Sequence, residues 1–509
     1  MSVRPLPTVN TMLSLPHRAA LYSLFSFATL FAACSDESSS TGSGGTGGTP
    51  VVEPPLPAVE GLLPFEDKNP DPHILEVDLV AKAHAVQLLP GDLTNLLNYN
   101  DQFPGPLLHA RVGDRVIVHF TNQLDEETII HWHGLRISDT MDGSPVLQTP
   151  VLPGGTFTYD FVVPDAGTYW YHTHYGQIKQ FEYGLYGGLV VHEKDFPAFT
   201  AERLFVGDDI RLNTKNQVGA FLTSGPDVGA GRIGNTVLLN GKVVSGQDGE
   251  PFTFTIPRGA VERWRFVLAT NALAYGLRIV GADAKVISTD GGLLPQSFAL
   301  DRVEVAPGQR YDFEVRPKAD ATEVTLEALI LVLNANDEVV EEPFVLARGV
   351  VEGEVTAEEP VYPAVVHPDV NVTPAETLEW KLSGMLVDNK PQFTINGVPG
   401  FVGDDHDHLL LHTFQPNVPV KITLSSNVSP AHPFHIHGQF FQILERGGKP
   451  VFEPGLRDTV HVRGNETATI LSYFENPGRW MVHCHISEHA ENGMMADIQV
   501  GDPEADHSH

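Results

Sequence analysis

Four short stretches constrain this chain more than anything else in it: "IIHWHG" (His131, His133), "GTYWYHTHYG" (His172, His174), "HPFHIHG" (His435, His437) and "VHCHI" (His483, His485). In an extended strand, residues i and i+2 point to the same side, so each His-x-His pair aims two imidazoles at one place. The spacing alone is weak, because 23 histidines in 509 positions yield about one such pair by chance. The chain has six. Two of them stand in solvated text: His406-Asp407-His408 in the acidic run "GDDHDH", which could collect cations, and His507-Ser508-His509 at the C-terminus. The other four are embedded in apolar or glycine-bounded strand text. Eight imidazoles gathered in one buried place require a metal, because so many core histidines would otherwise be costly to satisfy.

Strand parity divides the ligands. His432 lies three residues before His435 and faces away from His435 and His437, and Cys484 faces away from its neighbours His483 and His485. Two sites placed back to back follow: one of eight histidines, and one containing His432 and Cys484. The second is completed locally by His489, five residues after the cysteine, and by Met494, ten residues after it. Two imidazoles, a thiolate and a distant thioether form the ligand set of a blue copper centre suited to one-electron exchange. Zinc would more often take a closed four-ligand site or keep an open water position. Cys484 thereby joins an electron-accepting site to the histidines on either side of it.

The strands that carry these ligands have company. "RVGDRVIVHFTN" (Arg111 to Asn122), "TFTYDFVV" (Thr156 to Val163), "FTFTIP" (Phe252 to Pro257) and "PVKITLSS" (Pro419 to Ser426) alternate apolar and polar residues between turn residues. With 47 Gly and 39 Pro, this is the pattern of half-buried antiparallel strands, and no long helical period competes. The expected fold is all-β, a series of sandwiches, and the length suggests about three domains. No histidine lies between His192 and His367, so the middle third holds no histidine-bound metal. The expected boundaries are 61–195 for the first domain, 196–355 for the second and 356–509 for the third.

Residues 1–33 stand apart. Arg4, His17 and Arg18 precede an apolar run, Ala19 to Ala33, that is short of the ~20 residues needed to span a bilayer, which points to an export signal. The ending "LFAAC" resembles a bacterial lipoprotein signal with Cys34 as the lipidated residue, although Phe31 stands where Leu is usual; secretion with a free Cys34 is the competing reading. Residues 34–60, beginning "SDESSSTGSGGTGGTP" after Cys34, read as a flexible tether. The expected location is periplasmic or cell-surface, with lipid on Cys34 as the only membrane attachment, to the outer membrane. The net charge of −32 repels a phosphate backbone and excludes nucleic acid as a partner.

The motifs His-Trp-His-Gly, His-x-His, His-Pro-x-His-x-His and His-Cys-His-x-x-x-His occur in the order found in three-domain multicopper oxidases of the laccase and copper-efflux oxidase kind. The chain resembles that family from about residue 65 to 500, with "QFPGP" (Gln102 to Pro106), "MDGSP" (Met141 to Pro145), "GLYGGLVV" (Gly184 to Val191) and "APGQRYDF" (Ala306 to Phe313) in support. The resemblance implies three consecutive cupredoxin-like Greek-key sandwiches and four copper ions. Type 1 copper would take His432, Cys484, His489 and Met494, and type 2 would take His131 and His435. One type 3 copper would take His133, His172 and His485, and the other His174, His437 and His483.

The implied activity is four-electron reduction of O2 to water, coupled to one-electron oxidation of phenols or aromatic amines by a monomer. The alternative is oxidation of Cu(I), Fe(II) or Mn(II) in metal detoxification. Only seven Met are present and none cluster outside the type 1 loop, which weighs against Cu(I); the acidic surface and "GDDHDH" weigh for a metal ion. The substrate is expected to touch the type 1 edge near His489 or His432. Asp142 in "MDGSP" matches an acid that family members use near type 2 copper. Glu491 matches the fungal laccase pattern and is the candidate proton relay toward the type 3 side, with a solvated turn carboxylate as its alternative.

Overall fold

The structure, a computed structural model, describes residues 54–502 apart from 223–224, 245–248, 334–338, 389, 401–408 and 428–430. The expected export signal with Cys34, most of the expected tether, the "GDDHDH" histidines and the C-terminal histidine pair lie outside the described residues. Strands dominate, as the alternation predicts. Arg115–Asn122, the core of "RVGDRVIVHFTN", buries every second residue from Val116 to Asn122 and leaves Arg115 exposed, which is how a strand with one wet face is built.

The strands form three pairs of sheets in chain order. In the first, a sheet running Thr94–Tyr99, Ile74–Val86, Arg115–Asn122, Thr156–Val162 lies over one running Gly105–Arg111, Tyr186–His192, Gly167–Thr173, Ile130–His133. Val77, Val118, Trp132 and Tyr171 belong to the core between them. The middle pair is built from strands between Ala201 and Glu354 around Phe205, Trp264, Phe266 and Phe313. The last pair runs from Glu376 to Val500 around Trp380, Phe434, Trp480 and Cys484. At the end of the stretch read as tether, Val59–Glu60 is a strand, paired in parallel with Ala201–Ile210 of the middle pair, and Val59 is buried there.

Register places the histidine pairs. Ile130–His133 pairs antiparallel with Gly167–Thr173, setting His131 opposite His172. His432–Ile436 pairs antiparallel with Gly478–Cys484, setting His435 opposite His483 and Phe434 opposite Cys484. Residues opposite one another share a sheet face, so His435 and His483 look one way while Phe434 and Cys484 look the other.

Candidate metal centre

The eight imidazoles meet between the first and last pairs of sheets. His131 stacks on His437 with ring centroids 3.8 Å apart, and His133 stacks on His435 at 3.8 Å. Each of the eight is buried. Ligand atoms lie within 4.8 Å of one another in three all-histidine groups: His131, His133 and His172; His131, His435 and His437; and His174, His437 and His483. The His485 ring stands 5.2 Å from that of His133 and 5.4 Å from that of His172.

Hydrogen bonds to the outer nitrogens fix which atom faces inward in six of the eight rings. Nδ1 of His131 donates to the Asp142 carbonyl (2.8 Å), Nδ1 of His172 to the Thr173 carbonyl (2.8 Å) and Nδ1 of His435 to the Asp458 carbonyl (3.0 Å). Nδ1 of His437 donates to Asp142 Oδ2 (2.7 Å) and Nδ1 of His483 to the Cys484 carbonyl (2.9 Å). His133 is reversed: its Nε2 donates to Asp458 Oδ1 (3.3 Å). The inner atoms Nε2 of His131, His172 and His435 and Nδ1 of His133 are buried and have no hydrogen-bond partner among the described residues.

The sharpest consequence concerns His437 and His483. With both Nδ1 protons committed outward, their Nε2 atoms carry lone pairs, and these face each other at 3.0 Å, with Nε2 of His174 at 3.3 Å from that of His483. Facing lone pairs repel unless a cation lies among them, so the arrangement fits a metal. Burial first, and then neighbouring imidazoles, hold His172, His174, His437 and His485 well below the usual histidine range, so they offer lone pairs rather than charge.

Behind this cluster lies the second site. His432 Nδ1 and His489 Nδ1 are 3.2 Å apart, and Cys484 Sγ is 3.6 Å from each. Met494 is fully buried in the same core cluster as Cys484, and its carbonyl accepts the Cys484 N–H at 3.0 Å. Met495 packs instead with Met481 and Ala490. Burial pushes the Cys484 thiol up and the His489 imidazole down to about 3, so metal uptake here must displace the thiol proton.

Both imidazoles of this second site are fully covered, contrary to the expectation of a substrate-touching edge. Nε2 of His489 donates to the Gly229 carbonyl at 3.3 Å, Phe393 stacks on its ring at 4.0 Å, and Val228 joins the surrounding core. Gly229 and Val228 belong to a short helix, Pro226–Ala230, from the middle third. A cover supplied from more than 250 residues away has no signature next to the motif it covers.

Asp142 is buried and bonds one imidazole through its carbonyl and another through its carboxylate. Glu491 Oε1 accepts the Ile178 N–H at 2.9 Å, tying the helix Ser487–Glu491 to the helix Gln177–Gln180. Asp458 was not singled out in the sequence. It forms a ligand-spaced group with His133 and His435, and its only sequence signal is a lone acid at the start of strand text, "RDTVHV". Burial pushes its carboxyl up, but Arg310 and His133 outweigh that and hold it well below the usual range.

Three segments match the multicopper oxidase family: residues 81–195, 212–327 and 387–504. The multicopper oxidase mco of Staphylococcus aureus is 30% identical over 445 residues, covering 83% of this chain and 88% of that protein. Laccase-1 of Cryptococcus neoformans var. neoformans is 29% identical over 486 residues, covering 79% and 76%. Among solved structures, a multicopper oxidase of Campylobacter jejuni described as a metallo-oxidase superposes with a TM-score of 0.73 at 28% identity, covering 88% of this chain and 96% of that one.

Proposed function

The chain belongs to the multicopper oxidase family, and from that premise we propose that it oxidises phenols or aromatic amines one electron at a time and passes the electrons to dioxygen, as a laccase does. The carrying observation is a pair of inward-facing nitrogens: with their Nδ1 protons committed outward, the Nε2 lone pairs of His437 and His483 face each other at 3.0 Å. In this reading His432, Cys484, His489 and Met494 hold type 1 copper, and His131 and His435 hold type 2. His133, His172 and His485 hold one type 3 copper, and His174, His437 and His483 the other. Bound copper would supply reversible one-electron chemistry at the thiolate site and a three-metal cluster to take dioxygen, and the four ions together would hold the four electrons that reduce it to water.

The chain's own contribution is connection and orientation. Cys484 is peptide-bonded to His483 and His485, and its carbonyl accepts the His483 Nδ1–H at 2.9 Å, so the two sites are joined both covalently and by a hydrogen bond. Asp142 holds the His437 Nδ1–H at 2.7 Å, which keeps a carboxylate beside the cluster as a proton source and store. Glu491, whose carboxylate bonds the Ile178 N–H, is the relay candidate on the type 3 side.

An organic donor suits the covering of His489. Phe393, Val228 and the Gly229 carbonyl surround it, and the carboxylates next to Val228 and to His489 in the chain are engaged, Asp227 by Arg211 (2.6 Å) and Glu488 by Asn271 (2.7 Å). A reduced metal ion as donor is the second reading, supported by the description of the Campylobacter jejuni structure and by the excess of acidic residues.

Copper analysis of the purified protein, followed by oxygen uptake with a phenol, Cu(I) and Fe(II) side by side, tests the proposal. A phenol turned over faster than either metal supports the laccase reading, and the reverse order replaces it with the second. Cys484→Ser is expected to abolish the blue absorption and oxygen uptake with every donor; retention of both would overturn the electron route itself.

A further inference from the structure

The middle third supplies no histidine to the cluster, yet one of its turns lies against it. Gly308, in "APGQRYDF", adopts φ +86°, and a Cβ there would stand 3.1 Å from His133 Cε1 and 3.1 Å from His485 Cδ2. The next residue, Gln309, donates through Nε2 to the Thr459 carbonyl of the last third at 2.9 Å. Arg310 follows. It is fully buried, and its guanidinium grips Asp458 with two parallel bonds, Nη1 to Oδ1 at 2.8 Å and Nη2 to Oδ2 at 2.7 Å. The remaining donors go to the carbonyls of Thr168 (2.9 Å), Gly308 (3.1 Å) and Asp290 (2.9 Å). One side chain of the middle third therefore touches the first and the last.

Asp458 stands between this guanidinium and the imidazoles. Its Oδ1 accepts from His133 Nε2 at 3.3 Å and from Thr459 Oγ1 at 2.9 Å, while its carbonyl accepts from His435 Nδ1 at 3.0 Å. A proton held on Nε2 leaves His133 to offer Nδ1 to the metal, the reverse of His131, His172 and His435. The carboxylate can hold that proton only while its own position is fixed. A bidentate arginine fork fixes a carboxylate in plane and distance, which a lysine ammonium does not.

We propose that Arg310 is a positioning residue for the copper cluster: through Asp458 it selects the ring nitrogen that His133 presents and orients His435. The middle third thus takes part in assembling a metal site to which it gives no ligand. This rests on the copper reading given above.

The test compares copper-loaded wild-type protein with Arg310→Lys, which keeps the charge and loses the fork, and Asp458→Glu, which keeps the ion pair and moves its oxygens. Blue absorption reports the type 1 site, which neither residue touches, and so serves as the internal measure of folding. Electron paramagnetic resonance of type 2 copper and the chelator concentration that strips cluster copper report the cluster. The expected result is wild-type blue absorption, an altered type 2 resonance and cluster copper lost at chelator concentrations lower by on the order of 10- to 100-fold. A type 2 resonance and copper retention unchanged in both variants would overturn the inference and leave the copper reading standing. Loss of both sites together, or failure of both variants to form a blue site, would also overturn it, by making the pair a folding element only. Wild-type protein that takes up no copper would overturn the copper reading and this inference with it.

Discussion

Asp142 holds two imidazoles by two different atoms, so its substitutions separate orientation from charge. Its carbonyl, which accepts from His131, is independent of the side chain; its carboxylate, which accepts from His437, is not. Asp142→Asn keeps an oxygen for the His437 proton and removes the negative charge and the basicity. Oxygen consumption is expected to fall by on the order of 10- to 100-fold while the blue absorption stays, because the type 1 ligands lie elsewhere. Steady-state oxygen uptake beside a visible spectrum checks this, and a colourless variant would make Asp142 structural instead. Cys484 shows the opposite economy: one residue serves one site through its sulfur and the other through its carbonyl and peptide bonds. Strand parity made that arrangement legible before any coordinates, because residues one apart on a strand must face apart.

The elements that carry these residues were legible to differing depth. His432–Ile436 and Gly478–Cys484 follow the period-2 pattern, and their register sets His435 against His483. Turns set other contacts, and one of them allows a sharp test. Gly143 in "MDGSP" has φ +84°, and a Cβ there would lie 1.9 Å from the Ile130 carbonyl oxygen, beside the strand that carries His131 and His133. Gly143→Ala must move either that strand or the neighbouring Asp142. A loss of about 1–3 kcal/mol in stability is expected, together with reduced copper retention in the cluster, read by urea unfolding and metal analysis. Wild-type values for both would show that the turn yields without disturbing the site.

What the sequence left hidden is non-local. Asp458 takes its meaning from Arg310, which is 148 residues away in the chain, and the cover on His489 comes from Gly229, at a separation of 260. Neither distance is encoded by spacing or periodicity. The family resemblance named the ligands, but the distant partners behind His133, His435 and His437 come from the packing of the sheets against one another.

Those pairs meet across the cluster, so metal, pH and stability are linked throughout the protein. Burial holds His133, His172, His174, His432, His437 and His485 well below the usual histidine range and His489 at about 3. The unfolded chain takes up protons on these imidazoles near pH 6.5, whereas the folded copper-free protein does not. Stability from this source is therefore complete above about pH 6.5 and is lost as pH falls toward the folded values, at about 1.4 kcal/mol per pH unit for each imidazole fully protonated only when unfolded. Five buried carboxyls act the other way: burial raises Asp208, Asp290 and Glu488 and pushes Glu182 up to about 8 and Asp209 up to about 6, so each favours the folded state as pH falls toward its unfolded value. His109, His192, His367 and His435 are lowered by burial as well, so the imidazoles outnumber these carboxyls, and the copper-free protein is expected to weaken on acidification from pH 7 to 5. Copper that binds only the folded form adds to this, about 4 kcal/mol when free metal exceeds its dissociation constant a thousandfold. Between pH 7 and 5 copper must displace the proton that burial keeps on the Cys484 thiol, so the loaded stability curve should lie above the copper-free one by a margin that narrows as pH falls, provided free copper is held constant. Urea unfolding of both forms across that range decides it. Coincident curves would mean that the metal does not tie the first and last pairs of sheets together, and a copper-free curve flat with pH would mean that these imidazoles are not held neutral by the fold.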